Sequence, residues 1–404
     1  MGLVKYILPA LSAFAVYAIW SFSRDNGLFE LIDKSILAKT LPGTKEPLRT
    51  IYSGVEAIDN MLTILGAFFW TVFDGSNPSL TLQAINFSGS FGAAWVLVVV
   101  ESWRKANSWS IISFSSIDGA LAQLATYAFA TPLYFSFQSW LSPIVEAPSA
   151  QAIAVPPVVL NAIPLVFLIA YQVPSLSMIL PTPDILSYDL KQVAVAAWQP
   201  WPIYVSILLT AIYVVLSPFT SKEKANSPVV LRRAFRRVYF FAFSLASISY
   251  VASVAVSVAA TILPVLFTEK YAKALHHSAV FGLTFPWKSS TLRVQSVTEG
   301  VHIFLQWDWV IGSVGVLLWA ISMYVSAHKK VLGRVGWVSL GLKLVNLALL
   351  AGPVAAAVEL IWERDELLLD VAIKEEVIKE ATQKALDSDS PAIPEKAKGR
   401  KGKN

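Results

Sequence analysis

Cysteine is absent from the 404 residues, and histidine occurs only four times. The first absence excludes disulfides, thiolate metal sites and a cysteine nucleophile. The few histidines form no His-x-x-x-His pair, which disfavours a histidine-based metal centre. No aspartate-rich DDxxD motif, P-loop, GxGxxG or HExxH occurs, and no DxDD in the apolar region. A synthase that ionises a magnesium-bound diphosphate, an ATPase and a zinc protease are therefore disfavoured. Neither a metal nor an organic cofactor is expected. Charge is sparse as well, at 15% of residues. The net +5 sits in connecting segments and the tail, a pattern of membrane topology rather than nucleic-acid binding.

What the chain does have is apolar length. Hydrophobic residues make up 55%, in recurrent runs of about 20, long enough to cross a bilayer. The reading is all-α: a polytopic transmembrane helical bundle of about nine spans over 1–362, then a charged helical and finally disordered tail over 363–404. The spans are placed near 3–22, 51–73, 80–100, 112–140, 155–171, 201–219, 238–267, 301–325 and 337–362. The first is read as a span rather than a signal peptide, because it contains Pro9 and no convincing cleavage site precedes Arg24. Pro156, Pro157, Pro164 and Pro174 predict that the fifth is bent or broken. Lys222, Lys224, Arg232, Arg233, Arg236 and Arg237 mark a cytosolic segment. Lys288 belongs to a polar stretch before the eighth span. Arg104 and Lys105 fall on the opposite, lumenal side under this count and disagree with it. A multi-pass protein of this kind, without other targeting signals, is expected in the endoplasmic reticulum. Its oligomeric state is left open.

Helical spacing gathers the polar residues into stripes. In the second span Glu56, Asp59, Thr63, Gly66, Trp70 and Asp74 share a face, with Phe69 on another. In the third, Gln83, Asn86, Ser90, Ala94 and Glu101 do so. In the eighth, His302, Gln306, Trp309 and Ser313 form one stripe, and Asp308, Gly312, Gly315, Trp319 and Ser322 another. Acids inside a membrane are costly and normally face the bundle interior. The stripes are expected to enclose one cavity, with Glu56, Asp59, Glu101, Asp308 and Glu359 toward its lumenal side and Asp74 at the cytosolic end; Asp118, outside the stripes, also lies toward the lumenal half and, like Asp308, is deeper in its span. Trp70, Trp307, Trp309 and Phe69 would line it. Burial favours a neutral carboxyl, which can protonate an alkene or epoxide. Aromatic faces stabilise the resulting cation by about 0.5–2 kcal/mol each.

Simpler explanations compete. Acids near span ends reach headgroup water, Asp308 can pair with Lys343, and Trp201, Trp337 and Trp362 fit interfacial anchors. His302 fits a satisfied interfacial histidine.

Several blocks resemble a known group. Pro47-Leu48-Arg49-Thr50, Gly54-Val55-Glu56-Ala57-Ile58-Asp59, Phe68-Phe69-Trp70 and Asp74-Gly75-Ser76-Asn77-Pro78 are similar to fungal membrane-bound terpene cyclases of the ascochlorin and macrophorin pathways. Glu101-Ser102-Trp103-Arg104, Gln306-Trp307-Asp308-Trp309 and Trp362-Glu363-Arg364-Asp365-Glu366 are further such blocks. The resemblance implies cyclisation of a lipophilic farnesylated substrate dissolved in the membrane, on an aromatic or polyketide-derived core. The reaction would begin with protonation of a terminal epoxide or alkene. The resemblance assigns no acid, so the six carboxylates rest on the stripes alone. A proton-coupled transporter and a non-enzymatic scaffold remain the alternatives.

Overall fold

The computed structural model describes residues 2–221, 227–287 and 292–389. Lys222, Lys224, Lys288 and the tail from 390 onward lie outside them. Among the described residues the chain is helical, with one isolated bridge, Thr40 to Pro47, and no strand. The principal helices are α1 (Val4–Asp25), α2 (Leu28–Ala38), α3 (Glu56–Phe73), α4 (Pro78–Ser102), α5 (Ser115–Ala125), α6 (Tyr127–Leu141) and α7 (Pro157–Met178). They continue with α8 (Tyr188–Trp198), α9 (Trp201–Phe219), α10 (Pro228–Ile262), a short α11 (His277–Phe281), α12 (Val297–Leu332), α13 (Trp337–Leu350) and α14 (Pro353–Asp389).

Six of these are long and apolar enough to cross a membrane: α1, α4, α7, α9, α10 and α12. The expected nine reduce to six for local reasons. The segment near 51–73 becomes a helix only at Glu56, and Glu56, Asp59 and Asn60 fill its opening turns. That near 112–140 is broken at Thr126, whose φ of 91° no helix accommodates. That near 337–362 is broken at Gly352, where φ is 94° and the Tyr250 ring lies against the backbone. The proline-rich fifth segment is continuous rather than broken. A π-helical turn, Leu168–Gln172, follows Pro164 and absorbs the distortion.

The long α12 sits at the centre, against α1, α4, α6 and α14. Its small residues allow close approach: a Cβ at Gly312 would lie 2.2 Å from the Tyr127 ring of α6. Trp201 is fully buried among Phe91, Trp95, Phe167 and Tyr171, so it is a core residue rather than an interfacial anchor. α14 passes through the boundary expected at 362 without interruption, and Arg364, Asp365, Leu368 and Leu369 beyond it are buried.

Candidate active site

The cavity of this bundle, about 760 Å³, is walled by α1 to α8, α10 and α12. Small-molecule sites typically occupy roughly 300–1,000 Å³. Its walls come from the apolar faces of the helices. α3 contributes Ile64, Leu65, Phe68, Phe69, Val72 and Phe73; α4 contributes Ala84, Ile85, Phe87, Ser88 and Phe91; α12 contributes Phe304, Leu305 and Asp308. Tyr127, Tyr171 and Trp198 complete an aromatic lining. Phe68 and Phe304 meet edge to face at 4.9 Å, and Phe69 meets Trp198 at 5.6 Å. Where the cavity reaches the surface its rim is apolar: Ile64, Ile85, Leu176 and Ile179 line it and are also exposed.

Asp308 is the buried carboxylate in this wall. It faces the break between α5 and α6. The turn at Thr126 starts α6 inside the bundle, and the first amides of a helix have no intrahelical acceptor. Asp308 Oδ1 accepts the Ala128 N–H at 2.6 Å, while Thr126 Oγ1 accepts the Phe129 N–H at 3.3 Å. A helix N-terminus supports negative charge in its vicinity. Its expected structural partner Lys343 instead pairs with Glu363. A second acid, Asp33 of α2, borders the cavity at an exposed position that helical spacing had not marked.

The other five carboxylates stand elsewhere, so the expected single acid-lined cavity is not what the chain builds. Glu56 is exposed in the first turn of α3. Asp59 folds the preceding loop onto that helix, accepting the amides of Tyr52, Ser53 and Gly54 at 3.1, 2.7 and 3.1 Å. Asp74 accepts the Ser76 N–H at 2.8 Å in the turn after α3. Glu359 is half-buried on α14 near Glu363 and Lys343.

Glu101 belongs to a buried ionic cluster. It accepts Arg104 Nε at 2.7 Å, Arg364 Nη2 at 3.2 Å and Gln138 Nε2 at 3.2 Å. Asp365 accepts Arg364 Nε at 2.8 Å, Arg104 Nη2 at 2.8 Å and the Tyr239 hydroxyl at 2.6 Å. Trp319 joins through Gln138 Oε1 at 2.9 Å. The eleven residues of α12 from Asp308 to Trp319 put the cluster roughly 16 Å from the cavity acid. Arg104 thus lies beside the start of α10, level with the basic segment Arg232–Arg237, which removes the topological disagreement of the nine-span count.

Of the four expected lining residues, Phe69 lines the cavity. Trp70 points toward Tyr188, with ring centres 5.7 Å apart. Trp307 donates to Thr284 O at 2.8 Å, and Trp309 to Ser90 Oγ at 3.0 Å. Thr126, Phe87, Phe91, Tyr171, Trp198 and Phe304 were not marked in advance. The four-residue spacings Phe87–Phe91 and Phe304–Asp308, each on one helix face, were the available signal; Thr126 carried none.

The CtvD domain matches residues 4–369 of this chain. Terpene cyclase ctvD of Aspergillus terreus is 34% identical over 373 residues, covering 91% of this chain and all of that protein. Terpene cyclase penA of Penicillium crustosum is 27% identical, over 89% of this chain and 95% of its own. Terpene cyclase ascI of Acremonium egyptiacum is 28% identical, over 90% and 92% respectively. No solved structure matches. With a domain match across nearly the whole bundle and relatives aligned end to end, the chain belongs to the CtvD domain family of fungal terpene cyclases.

Proposed function

We propose that the protein cyclises the prenyl chain of a farnesylated aromatic or polyketide-derived substrate, starting by protonation of its terminal epoxide or alkene by Asp308. The observation that carries this reading is a buried carboxyl set alone in an aromatic wall. The apolar lining takes up the prenyl chain and favours its folded form over water-exposed ones. Asp308 donates its proton at the chain terminus. Phe68, Phe87, Phe91 and Phe304 present π-faces to positive charge moving along the chain. Little water reaches such a cavity, so the cation survives to close rings before it loses a proton or meets an internal nucleophile. The apolar rim at Ile85 and Leu176 suits a substrate arriving from the bilayer rather than from water. The endoplasmic reticulum membrane is the site we assign to this chemistry.

Microsomes containing only this protein, incubated with farnesylated aromatics with and without a terminal epoxide, test the reading. Cyclised product that disappears in Asp308→Asn at unchanged protein level supports it. Absence of turnover on both substrate types, with flux of the substrate across sealed vesicles, assigns the cavity to transport instead.

A further inference from the structure

Two of the stripes that do not face the cavity, those of α4 and α12, meet each other. Ser79, Gln83, Asn86 and Ser90 occupy one face of α4, and all are buried. The Trp309 to Ser90 hydrogen bond fixes the register against α12. One and two turns earlier on α12 come Gln306 and His302, whose Nε2 atoms lie 2.8 and 3.0 Å from Val280 O of α11. Ser253 of α10 bonds Leu82 O at 3.0 Å, and His277 of α11 bonds Ser257 at 2.8 Å, so four helices close a polar seam.

Within it Gln83 and Asn86 are anomalous. Both are 0% exposed, and the amide nitrogen and oxygen of each have no hydrogen-bond partner among the described residues. A buried polar atom left unmet costs about 1–3 kcal/mol, and such groups are normally satisfied by protein or ordered water. Equally buried, the ionic cluster satisfies nearly every atom, so burial alone does not explain the deficit. The ligand these atoms select is neutral and both gives and accepts hydrogen bonds, since each amide offers a donor beside an acceptor. Water meets that description. Beyond Trp309 the stripe continues to Ser313, one residue past the Gly312 backbone on which the Tyr127 ring packs, and neither the Ser313 nor the Tyr127 hydroxyl has a hydrogen-bond partner among the described residues. Tyr127 lines the cavity next to Asp308.

We propose that the seam holds a file of water molecules that returns a proton to Asp308 through the Ser313 and Tyr127 hydroxyls. The proposal rests on the cyclase reading. Protonating the substrate breaks the Asp308 O–H bond, forms the new bond at the chain terminus and leaves a carboxylate. Each hydroxyl of the relay then passes one proton on and receives one, and the water file supplies it. The proton lost when the cyclised cation terminates returns to water, so the reaction is proton-neutral overall. Gln83 and Asn86 are positioning residues here: they order the water and do not touch substrate.

The test uses the full chain in microsomes. Asn86→Leu and Gln83→Leu remove the unpartnered atoms, and such replacements are near neutral for folding or stabilising. In these variants the first turnover, from an already protonated Asp308, is expected at the wild-type rate. Later turnovers are expected at least tenfold slower, with KM lowered in step so that kcat/KM is unchanged. The trace is then a burst of one product per enzyme, and Asn86→Ser restores the steady rate. Wild-type steady turnover in both Leu variants overturns the proposal, as does an equal fall in burst and steady phases, the mark of a packing defect. A wild-type protein that makes no product removes the cyclase reading itself, and the relay with it.

Discussion

Two buried polar centres sit on one helix, and they are built on opposite rules. Around Trp319 two arginines and two acids neutralise one another, and most of their polar atoms are bonded. Around Asp308 a single buried acid meets the turn that opens α6, at the Ala128 and Tyr127 amides and the Thr126 side chain, with aromatic rings and a cavity in front of it and no cation beside it among the described residues. The first arrangement is closed: a substrate can add nothing to it. The second is open: its carboxyl has capacity left and space in front of it. A buried acid alone therefore says little about chemistry; what matters is whether its partners are already inside the protein.

The comparison breaks most sharply at Asp308. Asn in its place still accepts the Ala128 N–H but has no proton to give. Asp308→Asn is expected to lower product formation by about 10²–10⁴-fold, the span of general acid catalysis, at an unchanged thermal midpoint. The ionic cluster should respond the other way. Glu101→Gln or Arg364→Met strands buried charge and is expected to destabilise the fold by about 3–5 kcal/mol, read by thermal unfolding in detergent. Gly312→Ala drives a methyl into the Tyr127 ring, and its expected cost of about 1–3 kcal/mol falls on the cavity side of α12. Phe304→Leu removes one π-face, worth about 0.5–2 kcal/mol to a cation. It should slow turnover and raise the share of partly cyclised products, measurable by mass spectrometry. The smallest effect is at Thr126: glycine relieves its positive φ but gives up the hydroxyl that accepts the Phe129 N–H, so the net change in the same unfolding experiment is expected to stay within about 1 kcal/mol.

The helical membrane character of the chain was legible in its apolar runs, because crossing hydrocarbon demands length and leaves little choice of residue. The span count was not, since Thr126 and Gly352 break helices through local backbone conformation that hydropathy averages away. Helical period placed the polar stripes on single faces. Asp59, Thr63 and Trp70 turn toward the 49–54 loop and α8, and Gln83, Asn86 and Ser90 toward α12. What period alone does not give is which face meets the cavity. A cavity for an apolar guest is made of apolar faces, while polar stripes serve as seams between helices. The blocks Glu101-Ser102-Trp103-Arg104 and Arg364-Asp365 each join an acid to an arginine, a complementarity that forecasts their meeting in the cluster.

Asp308, and not the saturated acids, is the group proposed to hand the proton to substrate. The most direct measurement is cyclised product per folded molecule for Asp308→Asn beside Glu101→Gln, in matched microsomes. A loss of at least 100-fold is expected for the first, and for the second a smaller folded fraction whose surviving molecules turn over near the wild-type rate. Wild-type turnover by Asp308→Asn, or abolished turnover in well-folded Glu101→Gln, would contradict that assignment.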